Sequence, residues 1–181
     1  GILMKRFTQA LIAVIALCTA QLALSQEAIE ITSGTDKATP IAVVPFGWQG
    51  SAPLSEDLAD ISANDLRNTG MFAPMERSNM LSYPVRGEEI NSRDWKMIGV
   101  DYVVVGQVTN QPGTDRYELN YSLYSILREQ VLLSKTVSGT QSQLRDMAHH
   151  LSDEVFEEIT GIKGAFNTKL LYVAAERFSA D

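Results

Sequence analysis

Two unbroken apolar stretches set the terms of the fold. Ile41-Ala42-Val43-Val44-Pro45-Phe46 and Asp101-Tyr102-Val103-Val104-Val105-Gly106-Gln107-Val108-Thr109 lack the period-two alternation of a strand with one wet face. Continuous runs of this kind predict strands covered on both sides, at the centre of a sheet. Pro45 has no N–H to give to a ladder, so it belongs at the end of its strand. Tyr117, Leu119, Tyr121 and Leu123 instead alternate with Glu118, Asn120 and Ser122, which predicts a strand with one solvated face. Asn110 to Asp115 reads as the hairpin loop before it, and Leu127-Arg128-Glu129-Gln130 as a tighter turn into Val131–Val137.

Two helices accompany these strands. Leu144, Met147, Ala148, Leu151, Val155 and Ile159 recur at three- and four-residue steps, forming one apolar stripe. Thr140 and Gln143 have the spacing of a capping box, and Gly161 is placed to end the helix in the left-handed conformation. A second helix is predicted from Leu54 or Ser55 to Asn68, with Ser55 as N-cap and Gly70 beyond its end. Gly47 to Pro53 reads as a loop, Met71 to Met75 as a short strand or loop, Pro84 to Glu89 as irregular. Asn91 to Ile98 reads as one or two helical turns closed by Gly99. The sum is an α/β fold: a two-layer domain with a mixed β-sheet covered by two main helices. At 181 residues with 45% hydrophobic content, the chain supports one such domain with a full core.

The first residues read as an address. Met4-Lys5-Arg6, an apolar run from Ala10 to Ala20, and Ala23-Leu24-Ser25 match a signal peptide cut after Ser25. The run is shorter than the roughly 20 residues a membrane span needs. Cys18, the one cysteine, falls inside this stretch, so the mature chain has no thiol chemistry. A net charge of -7 leaves no basic stripe for nucleic acid.

Reactive constellations are weakly represented. His149 with Asp153, or His150 with Glu154, would put two metal ligands on one helical face, but neither pair fits a metalloprotease pattern. The two histidines are expected on a solvated surface. Asp65 falls on the apolar face of its helix and is expected to accept backbone N–H groups of the following turn. There is no Gly-x-Ser-x-Gly elbow. Gly161-Ile162-Lys163-Gly164 does not follow a strand, as a phosphate loop would.

Several separated stretches carry a resemblance. They are Pro40–Phe46, Asp65–Phe72, Val100–Val108, Ser152-Asp153-Glu154-Val155-Phe156-Glu157-Glu158-Ile159-Thr160-Gly161-Ile162-Lys163-Gly164-Ala165-Phe166, and Thr168–Val173. In order and spacing, Gln26 to Val173 resembles the TolB N-terminal domain of the bacterial Tol–Pal envelope system. The resemblance implies a non-catalytic periplasmic adaptor linking TolA and Pal, with roles in outer-membrane integrity, cell division and colicin import. It implies no cofactor, no metal and no catalytic residue, and a monomer peripheral to the outer membrane through Pal. In the family a six-bladed β-propeller follows and makes most of the Pal contact; this chain contains none of its repeats. The family's first mature residues bind TolA, and by position these are Gln26, Glu27, Ala28, Ile29, Glu30, Ile31, Thr32, Ser33, Gly34 and Thr35. The implied organisation is 1–25 upstream residues and signal peptide, 26–35 mobile partner-binding segment, 36–166 α/β domain, and 167–181 junction and start of a truncated propeller. Gly161, Gly164 and Phe166 would form the interdomain corner, with Leu170–Val173 opening a blade. An outer-membrane assembly subunit similar to curli-secretion or LpoB-type lipoproteins is the alternative, since these share an Ile-Ala-Val-Val-Pro-Phe-like strand. It requires a lipidated cysteine after the signal. A hydrolase is a more distant reading.

Overall fold

The centre of the sheet is where the continuous apolar runs place it. In the computed structural model, which describes residues 37–167, β1 (Thr39–Val43) lies between β3 (Phe72–Pro74) and β4 (Tyr102–Asn110), parallel to both. β5 (Tyr117–Ser125) and β6 (Gln130–Gly139) continue the sheet as an antiparallel meander, giving the order β3-β1-β4-β5-β6. Pro45 stands outside β1, as its missing N–H requires. Beyond it the chain rejoins the sheet as β2 (Gly47–Trp48), pairing in parallel with Gln107 and Val108 of β4. That short strand replaces the loop expected there. Two residues carry too little pattern to announce a strand.

Alternate residues of the central strands enter two separate cores. Ile41, Val43, Val104 and Val108 face the main helices, α1 (Leu58–Asn68) and α3 (Leu144–Thr160). Ala42, Val44, Val103 and Val105 face the opposite way, against Met80, Ile90 and Trp95. Trp95 is carried by α2 (Ser92–Met97) and buried to 1% exposure. The segment between β3 and β4 thus covers the second face of β1 and β4, with 3-10 turns at Arg77–Asn79 and Gly87–Glu89 and the expected helical turns of α2. On β5, Leu119, Tyr121 and Leu123 face the helices while Asn120 is exposed, as the alternation predicts. The edge strand β6 is blunted by Lys135, opposite Tyr121, which reaches inward to pair with Glu154 of α3.

The helix ends follow local chemistry, with one correction. Thr140 and Gln143 form the predicted capping box, leading through a 3-10 turn into α3, and Gly161 closes it at φ 71°. The N-cap of α1 is Asp57 instead of Ser55: its Oδ1 accepts the Asp60 N–H at 3.0 Å. Arg77 holds both oxygens of the same carboxylate at 2.8 Å, and that partner lies 20 residues away, beyond any local signal.

The Asp57 carboxyl is held below its ordinary range, chiefly by the Arg77 hydrogen bonds and further by the Asp60 N–H, against an opposing effect of burial. A depressed folded value means stability that is present above about pH 4 and lost as the pH falls through the folded value. The pair is half-exposed, so solvent screening keeps this pH-dependent part well under 1 kcal/mol. Asp57→Ala is expected to cost about 1 kcal/mol from the lost cap. Urea midpoints measured from pH 7 to pH 2.5 should show a shallower acid limb in Asp57→Asn than in the wild type.

Candidate functional site

One corner of the domain gathers both places where the described chain meets the rest of the sequence. Thr39, near the first described residue, pairs with Phe72 of β3, and its N–H donates to the Met71 carbonyl at 2.8 Å. The Phe72 ring meets Phe156 of α3 edge-on at 6.1 Å, and Phe156 meets Phe166 edge-on at 5.9 Å. Three rings, from β3, α3 and the exit, therefore form one column in the edge-to-face geometry that aromatic quadrupoles favour. Residues 26–35, whose root is β1, lie outside the described residues, as do the signal-peptide stretch, Cys18 and Leu170–Val173.

The exit of the chain is built by the residues after α3. The left-handed Gly161 gives its N–H to the Glu157 carbonyl at 2.8 Å. The Thr160 hydroxyl donates to the Phe156 carbonyl at 2.7 Å and accepts the Ile162 N–H at 3.1 Å. Gly161, Ile162 and Lys163 are exposed, and the chain then returns to the flank of the helix. There Asp153 accepts the Phe166 N–H at 2.7 Å on one oxygen and the Asn167 N–H at 3.0 Å on the other. A Cβ on Gly164 would lie 2.6 Å from the Asp153 Cα and overlap its carboxylate, so only glycine fits this close approach. The corner thus brings Gly161, Gly164 and Phe166 into one unit and adds Asp153, Phe156 and Phe72, which sequence reasoning did not connect. The Asp153 contact spans 13 residues across a chain reversal, a distance at which no periodicity operates.

The histidines correct a second expectation. His149 is not a solvated side chain: its Nδ1 lies 2.7 Å from Asp65 Oδ2, across the α1–α3 interface. The same oxygen accepts the Ser152 hydroxyl at 2.7 Å. Asp65 therefore serves the neighbouring helix, where backbone N–H groups of its own turn were expected. A carboxylate oxygen accepts, so a ring hydrogen on Nδ1 is what lets His149 donate to it. His150 is also mostly covered, with Nε2 4.0 Å from Glu154 Oε1. Ser62 completes the seam, its hydroxyl lying 2.9 Å from the Leu58 carbonyl and 3.2 Å from that of Ala148.

Serine, histidine and aspartate meet here in an arrangement unsuited to nucleophilic attack. A catalytic serine bonds the ring nitrogen remote from the aspartate. Here the serine hydroxyl and the histidine Nδ1 both meet the same carboxylate oxygen, and Ser152 is 0% exposed. Among the described residues no group of three His, Cys, Asp or Glu side chains could hold a metal ion, and no helix is long and apolar enough to cross a membrane. At the N-terminal end of α3 an open groove of about 550 Å³ lies beside Trp48, Tyr117 and Leu144; none of its lining residues is charged.

Comparison with known proteins gives consistent matches. The family described as the TolB amino-terminal domain matches residues 27–132. The Tol-Pal system protein TolB of Pseudomonas fluorescens (strain SBW25) is 52% identical over 169 residues, covering 93% of this chain and 39% of that protein. Its counterpart from Pseudomonas syringae pv. syringae (strain B728a) is 50% identical over the same length. Among solved structures, the crystal structure of TolB from Acinetobacter baumannii superposes with a TM-score of 0.60 at 31% identity, over 70% of this chain and 29% of that one. The chain therefore spans about two fifths of the length of its curated relatives.

Proposed function

Because the chain belongs to the TolB amino-terminal domain family, we propose that it acts as a non-catalytic periplasmic adaptor of the Tol–Pal envelope system. In this reading residues 1–25 direct export and are removed after Ser25. Residues Gln26 to Thr35 bind TolA. Residues 36–166 form the rigid mount, and the chain from 167 onward leads to the part that makes most of the contact with Pal. Linking TolA to Pal in this way serves outer-membrane integrity, cell division and colicin import.

One observation carries the reading beyond the family assignment. β1 starts four residues after Thr35 and is paired on both sides, between β3 and β4, with Ile41 and Ala42 fully buried. A peptide tethered to such a strand is anchored to the folded core by a paired backbone and buried side chains. The segment itself has the chemistry of an added strand. Ala28-Ile29-Glu30-Ile31-Thr32 alternates weakly and can give its backbone hydrogen bonds to the edge of a partner's sheet.

Deleting residues 26–35 is expected to weaken TolA binding at least about 100-fold, or ~2.8 kcal/mol. The domain should still melt in one cooperative transition. Calorimetric titration of TolA alongside thermal unfolding checks both, and unchanged binding would sink the assignment of that segment.

A further inference from the structure

The exposed turn after α3 and the tightly held residues beyond it differ in kind. Gly161, Ile162 and Lys163 face solvent, Ile162 at 55% exposure. The next four residues meet three separate constraints. Gly164 sits against the Cα and carboxylate of Asp153. Phe166 completes the aromatic column with Phe156 and Phe72. The Phe166 and Asn167 N–H groups go to the two oxygens of Asp153. Two successive peptide groups bound by one carboxylate are fixed in orientation as well as in position, because each bond is directional and the two acceptors are rigidly linked.

The place of that grip matters. Asp153 lies seven residues before Thr160, which on an α-helix is about 10 Å back from the C-terminal end. The carboxylate gives the chain past Gly161 a polar reason to double back along the helix. We propose that Asp153 is the positioning residue of the exit: it fixes where and in which direction the chain leaves this domain. Whatever follows residue 167 is thereby launched from the flank of α3 beside Phe156, instead of from beyond the end of the helix. This rests on the adaptor reading only for its purpose, since a linker between two partner-binding parts transmits force along a set direction. The grip itself is a property of residues 153–167.

The test uses the 181-residue chain with Cys18 replaced by serine. Hydrogen exchange at the Phe166 and Asn167 amides is expected to accelerate at least about 10-fold in Asp153→Ala, where an acceptor no longer protects them. Asp153→Asn, which retains one acceptor oxygen, should fall between the two. Gly164→Ala should reproduce the loss from the other side of the contact. A spin-label pair at Arg67→Cys and Asn167→Cys should give one narrow distance distribution, which broadens by several ångströms in Asp153→Ala. Asp57→Ala, a mild destabilisation elsewhere, should leave both readouts at their wild-type values. Wild-type exchange and distances in both Asp153→Ala and Gly164→Ala would overturn the proposal. TolA binding through residues 26–35 is independent of this outcome. Wild-type exchange in the Asp153 and Gly164 variants with TolA binding intact tells against the grip alone; failed TolA binding by the wild-type chain, with the variants responding as expected, tells against the adaptor reading alone.

Discussion

Phe156→Ala is expected to cost about 3–5 kcal/mol, the range for truncating a large buried aromatic. Phe156 is 9% exposed and sits between Phe72 and Phe166, so alanine removes both edge-on contacts of the column and leaves a cavity at the meeting point of β3, α3 and the exit. Native domains are stable by only about 5–15 kcal/mol, so this substitution should bring the protein close to its limit. A fall in Tm of roughly 10–20 °C would accompany it for a domain of this size. Phe156→Leu keeps most of the volume and should cost less than half as much. Urea unfolding of the two variants decides the point. A loss below about 1 kcal/mol for alanine would mean that the ring column is a surface ornament and not part of the core.

The second large effect is expected at Asp65. Its Oδ2 takes hydrogen bonds from His149 and Ser152, joining α1 to α3 where both helices turn their otherwise apolar faces together. Asp65→Ala removes the shared acceptor. Ser152 can fall back on the Ala148 carbonyl, already 3.0 Å away, and His149 retains a side-chain exposure of 23% through which it can be hydrated. Those two refuges hold the cost to about 2 kcal/mol, below the 3–5 kcal/mol of a fully buried broken pair. Asp65→Asn keeps an acceptor oxygen and should cost about 1 kcal/mol. A double-mutant cycle with His149→Ala measures the contact directly. Coupling of about 1 kcal/mol is expected, and coupling near zero would show the two side chains to be independent.

What could be read from the sequence follows from the range of each signal. Burial of β1 and β4 on both faces was legible because it depends only on residue type along a few positions. The capping box at Thr140 and Gln143 and the left-handed Gly161 are local in the same sense. The cap of α1 falls two residues later than expected because Ser55 and Asp57 are both good capping types, and Asp57 has in addition a distant partner, Arg77, that no local pattern shows. His149 looked solvated for a similar reason. Its partner Asp65 is 84 residues away, and a helical face looks equally polar whether it meets water or a single carboxylate. The two-residue β2 was lost in a stretch rich in turn formers. For the corner, the sequence showed two glycines and a phenylalanine; it did not show that Asp153 is what they are arranged around.

Titrating TolA with a peptide of residues 26–35 and, in parallel, with the chain beginning at residue 36 separates binding segment from mount most directly. The peptide should bind within about 10-fold of the chain that begins at residue 26, a difference of ~1.4 kcal/mol, and the chain beginning at residue 36 should give no measurable heat. A silent peptide together with full binding by the shortened chain would place the TolA contact on the folded domain and contradict the account.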